Sequence, residues 1–350
     1  MAEPATLVTG GPPAGPEPVP PPAGRAPRRL PIRRIVERRE AAIFVVAVGL
    51  FLYFALSTTA FVGYNNFVTL TQFLAPIAVI GAGEAVLLTA GEVDLSAGTA
   101  FIFFPFVFYY LTTNEGLPVA AAIIIALVTA ALFGMLNGML TTLLELPSFV
   151  TTLGSLFALD GIMEITSNGT QFNLVIPGAG GSILGLYSWS EVLWALGLVV
   201  VVYLVLHRSR FGIHVVASGG NLVGAAEAGV KTTRVKIWAF VLCSTISALI
   251  GIVDASRLSL LDPGNDGTTE MFYAIAAAVI GGTALTGGRG TIVGAAIGSV
   301  VLGILYDGMY IKGVNAYWFQ FILGAAILAA MVLNVQLRRA AVRHWRSLRR

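Results

Sequence analysis

The stretch SGGNLVGAAEAGVKTTRVK, Ser218–Lys236, is short, polar and basic, and it separates two long apolar segments. It begins with residues that commonly cap helices, and small or apolar residues then recur at helical spacing. These residues are Leu222, Ala225, Ala226, Gly229 and Val230. The pattern predicts a short helix with one weakly apolar face. What that helix does depends on the two apolar elements beside it, and on which side of them it lies.

The composition is that of a membrane protein. Hydrophobic residues make up 56% of the chain and charged residues only 11%, whereas soluble globular proteins carry roughly 25% charged residues. Several apolar runs approach or exceed the ~20 residues that a membrane-spanning helix needs. Cys243 is the only cysteine, and the three histidines show no ligand spacing. The sequence therefore predicts an all-α polytopic membrane protein with no metal site and no catalytic residues.

Apolar runs interrupted by polar, glycine or proline clusters give ten predicted spans. They cover residues 41–61, 69–89, 97–113, 118–144, 149–166, 189–206, 237–256, 272–287, 291–311 and 317–336. The third and eighth of these runs are the shortest, and both are flanked by glycine. The predicted transmembrane domain therefore occupies residues 41–336.

The two ends of the chain differ from this domain. Residues 1–40 hold 10 of the 16 prolines and seven arginines. Such a stretch buries too little apolar surface to offset its ordering entropy, so we predict a disordered tail. It has no apolar core of a signal peptide. We interpret its arginines as residues that fix the orientation of the first span, in preference to a role in binding nucleic acid. Residues 337–350 form a second basic tail.

The basic residues fix the predicted orientation. With the N-terminus in the cytoplasm, 19 of the 21 lysines and arginines fall on the cytoplasmic side, and only Arg257 and Lys312 lie outside. Cytoplasmic loops carry such an excess of lysine and arginine. We therefore expect both termini and the loop 207–236 to be cytoplasmic, and Ser167–Ser188 to lie outside.

A faint repeat agrees with this topology. GMLTTLLELPSFVTTLG (Gly138–Gly154) and GMYIKGVNAYWFQFILG (Gly308–Gly324) share their length and both ends, and they lie five predicted spans apart. An odd offset reverses the direction of the chain, so the two halves are predicted to form a 5+5 inverted repeat, as in many transporters. Separately, glycines at helical spacing predict close helix packing. They are Gly134, Gly138, Gly290, Gly294 and Gly298.

Polar groups inside apolar runs are candidates for lining a solute path, because buried carboxylates in a membrane are costly unless they face water or a partner. The predicted path residues on the fourth and fifth spans are Asn137, Phe149, Phe157, Asp160 and Glu164. Asn137 has an alternative role as a bond between two helices. Glu84 lies within the second span. Asp254 and Asp307 lie near the outer ends of their spans, where contact with water is the alternative to lining a solute path.

One glycine-rich stretch could be mistaken for a nucleotide site. GGTALTGGRG, Gly281–Gly290, lacks the Gly-Lys-Ser/Thr ending that reaches phosphate and magnesium. Tight packing or a break between spans is the favoured interpretation. If ATP drives this protein, another chain binds it together with its Mg²⁺, so no cofactor is predicted in this chain.

Four ordered motifs carry a resemblance to a known family. They are LLTAGEVDLSAGT (Leu87–Thr99), LPSFVTTLGSLFALDGI (Leu146–Ile162), RFGIHVVASGGNLVGAAEAGV (Arg210–Val230) and YAIAAAVIGGTALTGGRGTIVGAAIGSVVLGILYDGM (Tyr273–Met309). Together they resemble the permease subunits of bacterial ABC importers for ribose, xylose, arabinose or galactosides, of the type II fold. One departure is Glu92, where that family usually has a second glycine; a tight glycine turn is therefore in doubt there.

The resemblance implies a set of partners. Two ABC ATPase subunits would dock from the cytoplasm, a second permease copy or paralogue would pair within the lipid of the bacterial inner membrane, and an extracytoplasmic solute-binding protein would deliver a monosaccharide or polyol. The resemblance also identifies the opening stretch as the helix that docks on the ATPase. The residues that it assigns there are Gly219, Gly220, Asn221, Leu222, Ala225, Ala226, Gly229 and Val230. The competing hypothesis is an ion-coupled secondary transporter that uses Glu84, Asp160 and Glu164.

Overall fold

A computed structural model describes residues 39–176, 184–185, 189–315 and, with gaps, 317–332. The predicted tails lie outside these residues, except that Arg39 and Glu40 already belong to the first helix. The described chain is helical apart from one pair of two-residue strands. This confirms the predicted all-α class of a polytopic membrane protein.

The helices follow one another with short connections. Those of the first half are α1 Arg39–Ser57, a 3₁₀ turn Thr59–Val62, α2 Tyr64–Ala90, α3 Ala97–Tyr109, a π-helical turn Tyr110–Asn114, α4 Val119–Leu143 and α5 Ser148–Ser167. Those of the second half are α6 Ser190–Arg208, α7 Arg210–Gly220, α8 Leu222–Glu227, α9 Thr232–Leu258, α10 Thr268–Ile280 and α11 Ile292–Ile311.

Seven of these helices, α1, α2, α4, α5, α6, α9 and α11, are long and apolar enough to cross a membrane. The third and eighth predicted spans correspond to α3 and α10, which have only 13 residues each. A further apolar helix at Tyr317–Ala329, only partly described, coincides with the tenth predicted span. Helices of the described residues thus occupy nine of the predicted positions, and seven of these helices are long enough to cross a membrane. Ten membrane crossings stay a prediction.

The largest boundary error concerns the eighth span. The sequence predicted residues 272–287, whereas α10 ends at Ile280 and the following residues form a loop. Gly282, with a φ of 96°, and Gly287, with a φ of 80°, adopt left-handed backbone conformations that a helix does not allow. The predicted span was extended into this loop to reach a membrane-spanning length, although α10 itself has only 13 residues.

The centre of the bundle is formed by α2 and α9, whose small side chains let neighbouring helices approach closely. A Cβ atom at Gly134 of α4 would overlap the carbonyl oxygen of Phe240 on α9, and one at Gly138 would overlap Ile237. Gly294 and Gly298 of α11 make the same kind of contact with α10. The predicted packing role of these glycines is confirmed.

Two loops meet at one end of the bundle. Phe172–Asn173, after α5, pairs antiparallel with Leu260–Leu261, after α9, in the register Phe172 to Leu261 and Asn173 to Leu260. We call this end, where α9 stops at Leu258 and α10 begins at Thr268, the cavity end. The opposite end, where α2 stops at Ala90 and α8 lies, is called the coupling end.

Candidate functional site

The short helix α8 has a defined start and a defined stop. The side-chain oxygen of Asn221 accepts a hydrogen bond from the backbone N–H of Gly224 at 3.0 Å, which caps the first turn. At the other end, Gly229 has a φ of 83° and the N–H of Val230 donates to the carbonyl of Ala225 at 3.0 Å. The local sequence therefore fixes a helix of six residues, in agreement with the short helix that its pattern predicted.

The predicted apolar stripe is not one exposed face. Leu222 is 48% exposed, whereas Ala225 is only 6% exposed and Val230 packs against the core of the bundle. Ala226 and Gly229 are exposed. Because α8 is less than two turns long and rests on the end of α7, Ala225 must face inward. The exposed surface instead includes Val223, at 67% exposed, which helical spacing alone had left out.

The residues before α8 are held by glycine contacts. The N–H of Gly288 donates to the carbonyl of Thr89 at the end of α2, at 2.8 Å. Gly219 lies against the same carbonyl, so that a Cβ atom there would overlap it. Gly287 and Gly288 in turn contact the backbone of Gly219 and Gly220. The stretch Gly281–Gly290 therefore packs Gly219–Glu227, which we call the coupling segment, onto α2. This is the tight packing that the sequence favoured for that stretch.

Glu92 adds an ion pair to this joint. Its carboxylate lies 2.5 Å from the ammonium group of Lys236 in the first turns of α9, and both side chains are mostly buried. The doubtful glycine turn is formed by Gly91 alone, with a φ of 86°, while Glu92 has an ordinary backbone conformation. The residue that departs from the family pattern thus ties α2 to the start of α9.

A chain of buried polar groups runs through the bundle near the coupling end. Asn137 donates to the hydroxyl of Ser96 at 2.9 Å and accepts from the hydroxyl of Ser155 at 2.5 Å. Ser96 donates in turn to a carboxylate oxygen of Asp94 at 2.5 Å. Asn137 therefore joins α4 to α5 and to the start of α3, as its alternative role required.

Asp94 and Glu84 form the far end of this chain. Both are fully buried, and the N–H of Asp94 lies 3.5 Å from a carboxylate oxygen of Glu84. Burial raises the pKa of Asp94 to about 6, and the hydrogen bonds from Ser96 oppose that rise. Cys243, the free cysteine, is buried beside Glu84 with 3.9 Å between its sulfur and the carboxylate. Glu84, which the ion-coupled hypothesis uses, is thus enclosed within the bundle.

The other predicted path residues lie on the outer side of α5. Phe149 is 55% exposed and Phe157 is 64% exposed. Asp160 is half-buried and Glu164 is exposed. None of them lines the cavities found in the described part of the chain, and Ser155 of the same helix bonds Asn137. An open face of this kind fits contact with lipid or with another chain.

A cavity lies elsewhere in the bundle, at the cavity end. A cavity of about 340 Å³ is bounded by α2, α3, α9, α10, α11 and the loop after α9. Its lining includes the aromatic rings of Phe73, Tyr273 and Tyr306, which we call the apolar wall. Polar side chains including Asp254, Arg257 and Glu270 also line it, and we call them the polar wall.

Arg257 is the anchor of the polar wall. Its Nε lies 2.5 Å from a carboxylate oxygen of Glu191 on α6, and its Nη2 lies 2.6 Å from Asp254. Of these residues, sequence analysis had considered Asp254 and Arg257 only as groups near the outside. The aromatic residues had no visible signal, because each lies in a separate apolar run. Within the described residues, no group of three or more metal-ligating side chains is placed to hold a metal ion.

Comparisons with known proteins agree on one kind of protein. The family described as "Branched-chain amino acid transport system / permease component" matches residues 66–331. The chain is 38% identical to the xylose/arabinose import permease protein XylH of Sulfolobus acidocaldarius, over 89% of this chain and 88% of that protein. It is 32% identical to the probable ABC transporter permease protein YphD of Escherichia coli, over 89% and 94%.

A third relative is named for the import of a different solute. The chain is 29% identical to the autoinducer 2 import system permease protein LsrC of Yersinia pseudotuberculosis, over 90% of each protein. No solved structure matches the chain.

Proposed function

Because the chain belongs to the family of branched-chain amino acid transport system permease components, we propose that it is the transmembrane subunit of an ATP-driven importer for a monosaccharide or related polyol. The sugar class rests on the relative at 38% identity, which is named for xylose and arabinose import. Membership makes this chain a transport component rather than an enzyme. ATP and Mg²⁺ would be bound by a separate ATPase subunit.

The observation that carries this proposal is the shape of the coupling end. Leu222, Val223 and Ala226 present a small apolar surface on a helix that Asn221 caps and Gly219 holds against α2. A six-residue helix has little stability of its own. Its firm attachment to the bundle therefore suggests a function for α8. A rigid, small, exposed helix is suited to receiving force from a docked ATPase and passing it to α2 and α9.

The remaining architecture follows from the same proposal. Ten spans in a 5+5 inverted repeat, with both termini cytoplasmic in a bacterial inner membrane, would place the coupling end inside and the cavity end outside. A second permease copy or paralogue would cover the exposed face of α5, and a solute-binding protein would dock at the cavity end. Specificity among pentoses, hexoses and polyols would then be shared with that binding protein.

Thiol labelling tests the orientation. In a Cys243→Ser background, Ala228→Cys places a thiol on an exposed residue of the coupling end, whereas position 225 is buried and unsuitable. An impermeant reagent is expected to label Ala228→Cys in inside-out vesicles and not in intact cells. Thr113→Cys, exposed near the opposite end, is expected to give the reverse pattern. Labelling of Ala228→Cys from outside intact cells contradicts the proposed topology.

The docking surface is tested by size. Ala226→Trp adds a large ring to the exposed surface of α8 and would overfill a matching ATPase groove, a change of roughly 1–3 kcal/mol in a well-packed site. That corresponds to a loss of about ten- to a hundredfold in affinity. We expect loss of ATPase co-purification and of ATP-driven sugar uptake in vesicles that contain the binding protein.

Two controls accompany this variant. Ala228→Gln, a polar change beside the surface, and Thr113→Trp, the same ring at the other end, are expected to retain both ATPase binding and uptake. Equal behaviour of Ala226→Trp and its controls would show that α8 is only a solvated loop. An ion-coupled carrier, the other hypothesis, predicts uptake that needs no ATP and collapses with the ion gradient. ATP-dependent uptake that survives an ionophore excludes it.

A further inference from the structure

We propose that the cavity at the cavity end is a binding site for one neutral sugar or polyol molecule, complete within a single chain. The inference rests on the proposed function and deepens it, since it says where in each subunit the solute is held. It concerns the cavity of about 340 Å³ between α2, α3, α9, α10 and α11. That volume lies at the small end of the range of about 300–1,000 Å³ for small-molecule sites.

The apolar wall fits the carbon face of a sugar ring. Phe73 and Tyr306 stack with their centroids 4.7 Å apart and their planes within 10°. Tyr273 packs edge-on against Phe73, with 6.1 Å between centroids. The three rings come from α2, α10 and α11 and hold one another in place. A rigid aromatic wall gives C–H groups a flat apolar surface at little cost in side-chain entropy.

The polar wall fits hydroxyl groups. Glu270 lines the cavity, and the side chain of Asn265 donates a hydrogen bond to its carboxylate. A carboxylate has several acceptor sites, so hydroxyl groups of a sugar in the cavity can donate to it as well. Asn265 lines the same wall.

The charges exclude an anionic ligand. Arg257 is the only basic side chain that lines the cavity among the described residues, and Glu191 and Asp254 already pair with it. Asp262 and Glu270 add further acidic groups to the lining. A sugar phosphate or sugar acid would meet a wall with an excess of negative charge. The site therefore selects neutral polyhydroxy compounds over their phosphorylated forms.

The position of the cavity agrees with delivery from outside. It opens beside the loop after α9, whose strand Leu260–Leu261 pairs with Phe172–Asn173. Thr269, an exposed residue of the first turn of α10, stands at its edge. In the proposed orientation this is the face on which a solute-binding protein docks. The proposal assigns every contact with the sugar to this chain, so it predicts that the permease alone binds sugar without ATPase or ATP.

A direct binding measurement tests the site. The full-length permease in lipid nanodiscs, without ATPase or binding protein, is titrated calorimetrically with D-xylose, L-arabinose and D-ribose. We expect one bound sugar per chain for at least one of them and no binding of ribose 5-phosphate. Glu270→Gln should weaken binding by about tenfold, a loss of one charge-assisted hydrogen bond. Thr269→Trp should abolish it by filling the edge of the cavity.

Matched changes away from the cavity serve as controls. Glu115→Gln and Thr113→Trp alter exposed residues beside the π-helical turn and are expected to bind like the unaltered chain. Equal binding by all four variants, no binding by the unaltered chain, or preference for an aminosugar cation over the neutral sugars would overturn the proposal.

The failure of this inference is distinguishable from failure of the proposed function. If ATP-driven uptake is normal in the Thr269→Trp and Glu270→Gln variants, the cavity is not the site although the importer is confirmed. If uptake by the unaltered chain does not depend on ATP, the proposed function falls, whereas the titration still decides whether the cavity binds sugar.

Discussion

The coupling end and the cavity end are built from opposite kinds of contact. At the coupling end, backbone meets backbone: Gly219 lies against Thr89, and Gly287 and Gly288 lie against Gly219 and Gly220. At the cavity end, long side chains meet around an open space of about 340 Å³. The same helices, α2 and α9, run from one end to the other.

The difference has a mechanical meaning. Glycine contacts leave no room for rotamer changes, so the coupling segment, α2 and α9 move together or not at all. Aromatic and charged side chains around a cavity can rearrange, and they can bind a solute. A displacement of α8 by a docked partner is therefore expected to reach the cavity end through the two central helices.

The largest expected effect breaks the glycine joint. In Gly219→Ala the new Cβ atom would overlap the carbonyl oxygen of Thr89 and lie 2.8 Å from the backbone nitrogen of Gly288. Backbone atoms cannot rotate away, so we expect a loss of about 1–3 kcal/mol or more in stability. It is measured as a lower Tm of the purified permease. The adjacent Gly220→Ala is the control, because its Cβ atom would meet only Gly288 at 3.7 Å. Equal Tm values for the two variants would show that the joint is loose.

The next effect concerns the ion pair that ties α2 to α9. Lys236→Met leaves the mostly buried Glu92 carboxylate without its cation, and we expect a loss of about 1–2 kcal/mol. Adding Glu92→Gln removes the stranded charge, so the double variant should recover part of that stability. A double-mutant cycle by thermal or denaturant unfolding measures the coupling. Strictly additive losses would mean that the two side chains do not interact.

The smallest effect loosens α8 without touching the joint. Asn221→Ala removes the cap on the N–H of Gly224, which is expected to destabilise the helix by about 1 kcal/mol. Hydrogen exchange of the α8 amides should speed up about fivefold. Asn221→Asp keeps an accepting oxygen and is the control. If Asp and Ala exchange equally fast, the cap contributes nothing and the attachment to α7 alone holds the helix.

Much of the architecture could be predicted from the order of the apolar runs. Helices occupy nine of the predicted positions in the described residues, and the packing glycines such as Gly134 and Gly294 lie where close contacts occur. Hydropathy and small-residue spacing depend only on neighbours within one helix, so a sequence states them directly. The cap at Asn221 was visible for the same reason, whereas Gly229, which the sequence placed on the helical stripe, lies beyond the end of α8.

The candidate sites could be predicted only in part. Asn137 was recognised as a buried polar group, but its two bonds, to Ser96 and Ser155, come from different helices. The inward turn of Ala225 depends on where α7 ends, which periodicity within α8 cannot express. The end of α10 at Ile280 was misplaced because a span of 13 residues is shorter than the length that the sequence led us to expect, although the glycines after it had indicated a break between spans.

By itself, the sequence determined the class of protein, the positions of its helices and the family to which it belongs, because these depend on composition, local periodicity and ordered motifs. Only the tertiary structure decided that Glu92 pairs with Lys236 and that Phe73, Tyr273 and Tyr306 line one cavity together with Arg257 and Glu270. Those residues are up to some 230 positions apart in the chain. Their meeting is set by how α2, α9, α10 and α11 pack, and no pattern within any single helix contains that information.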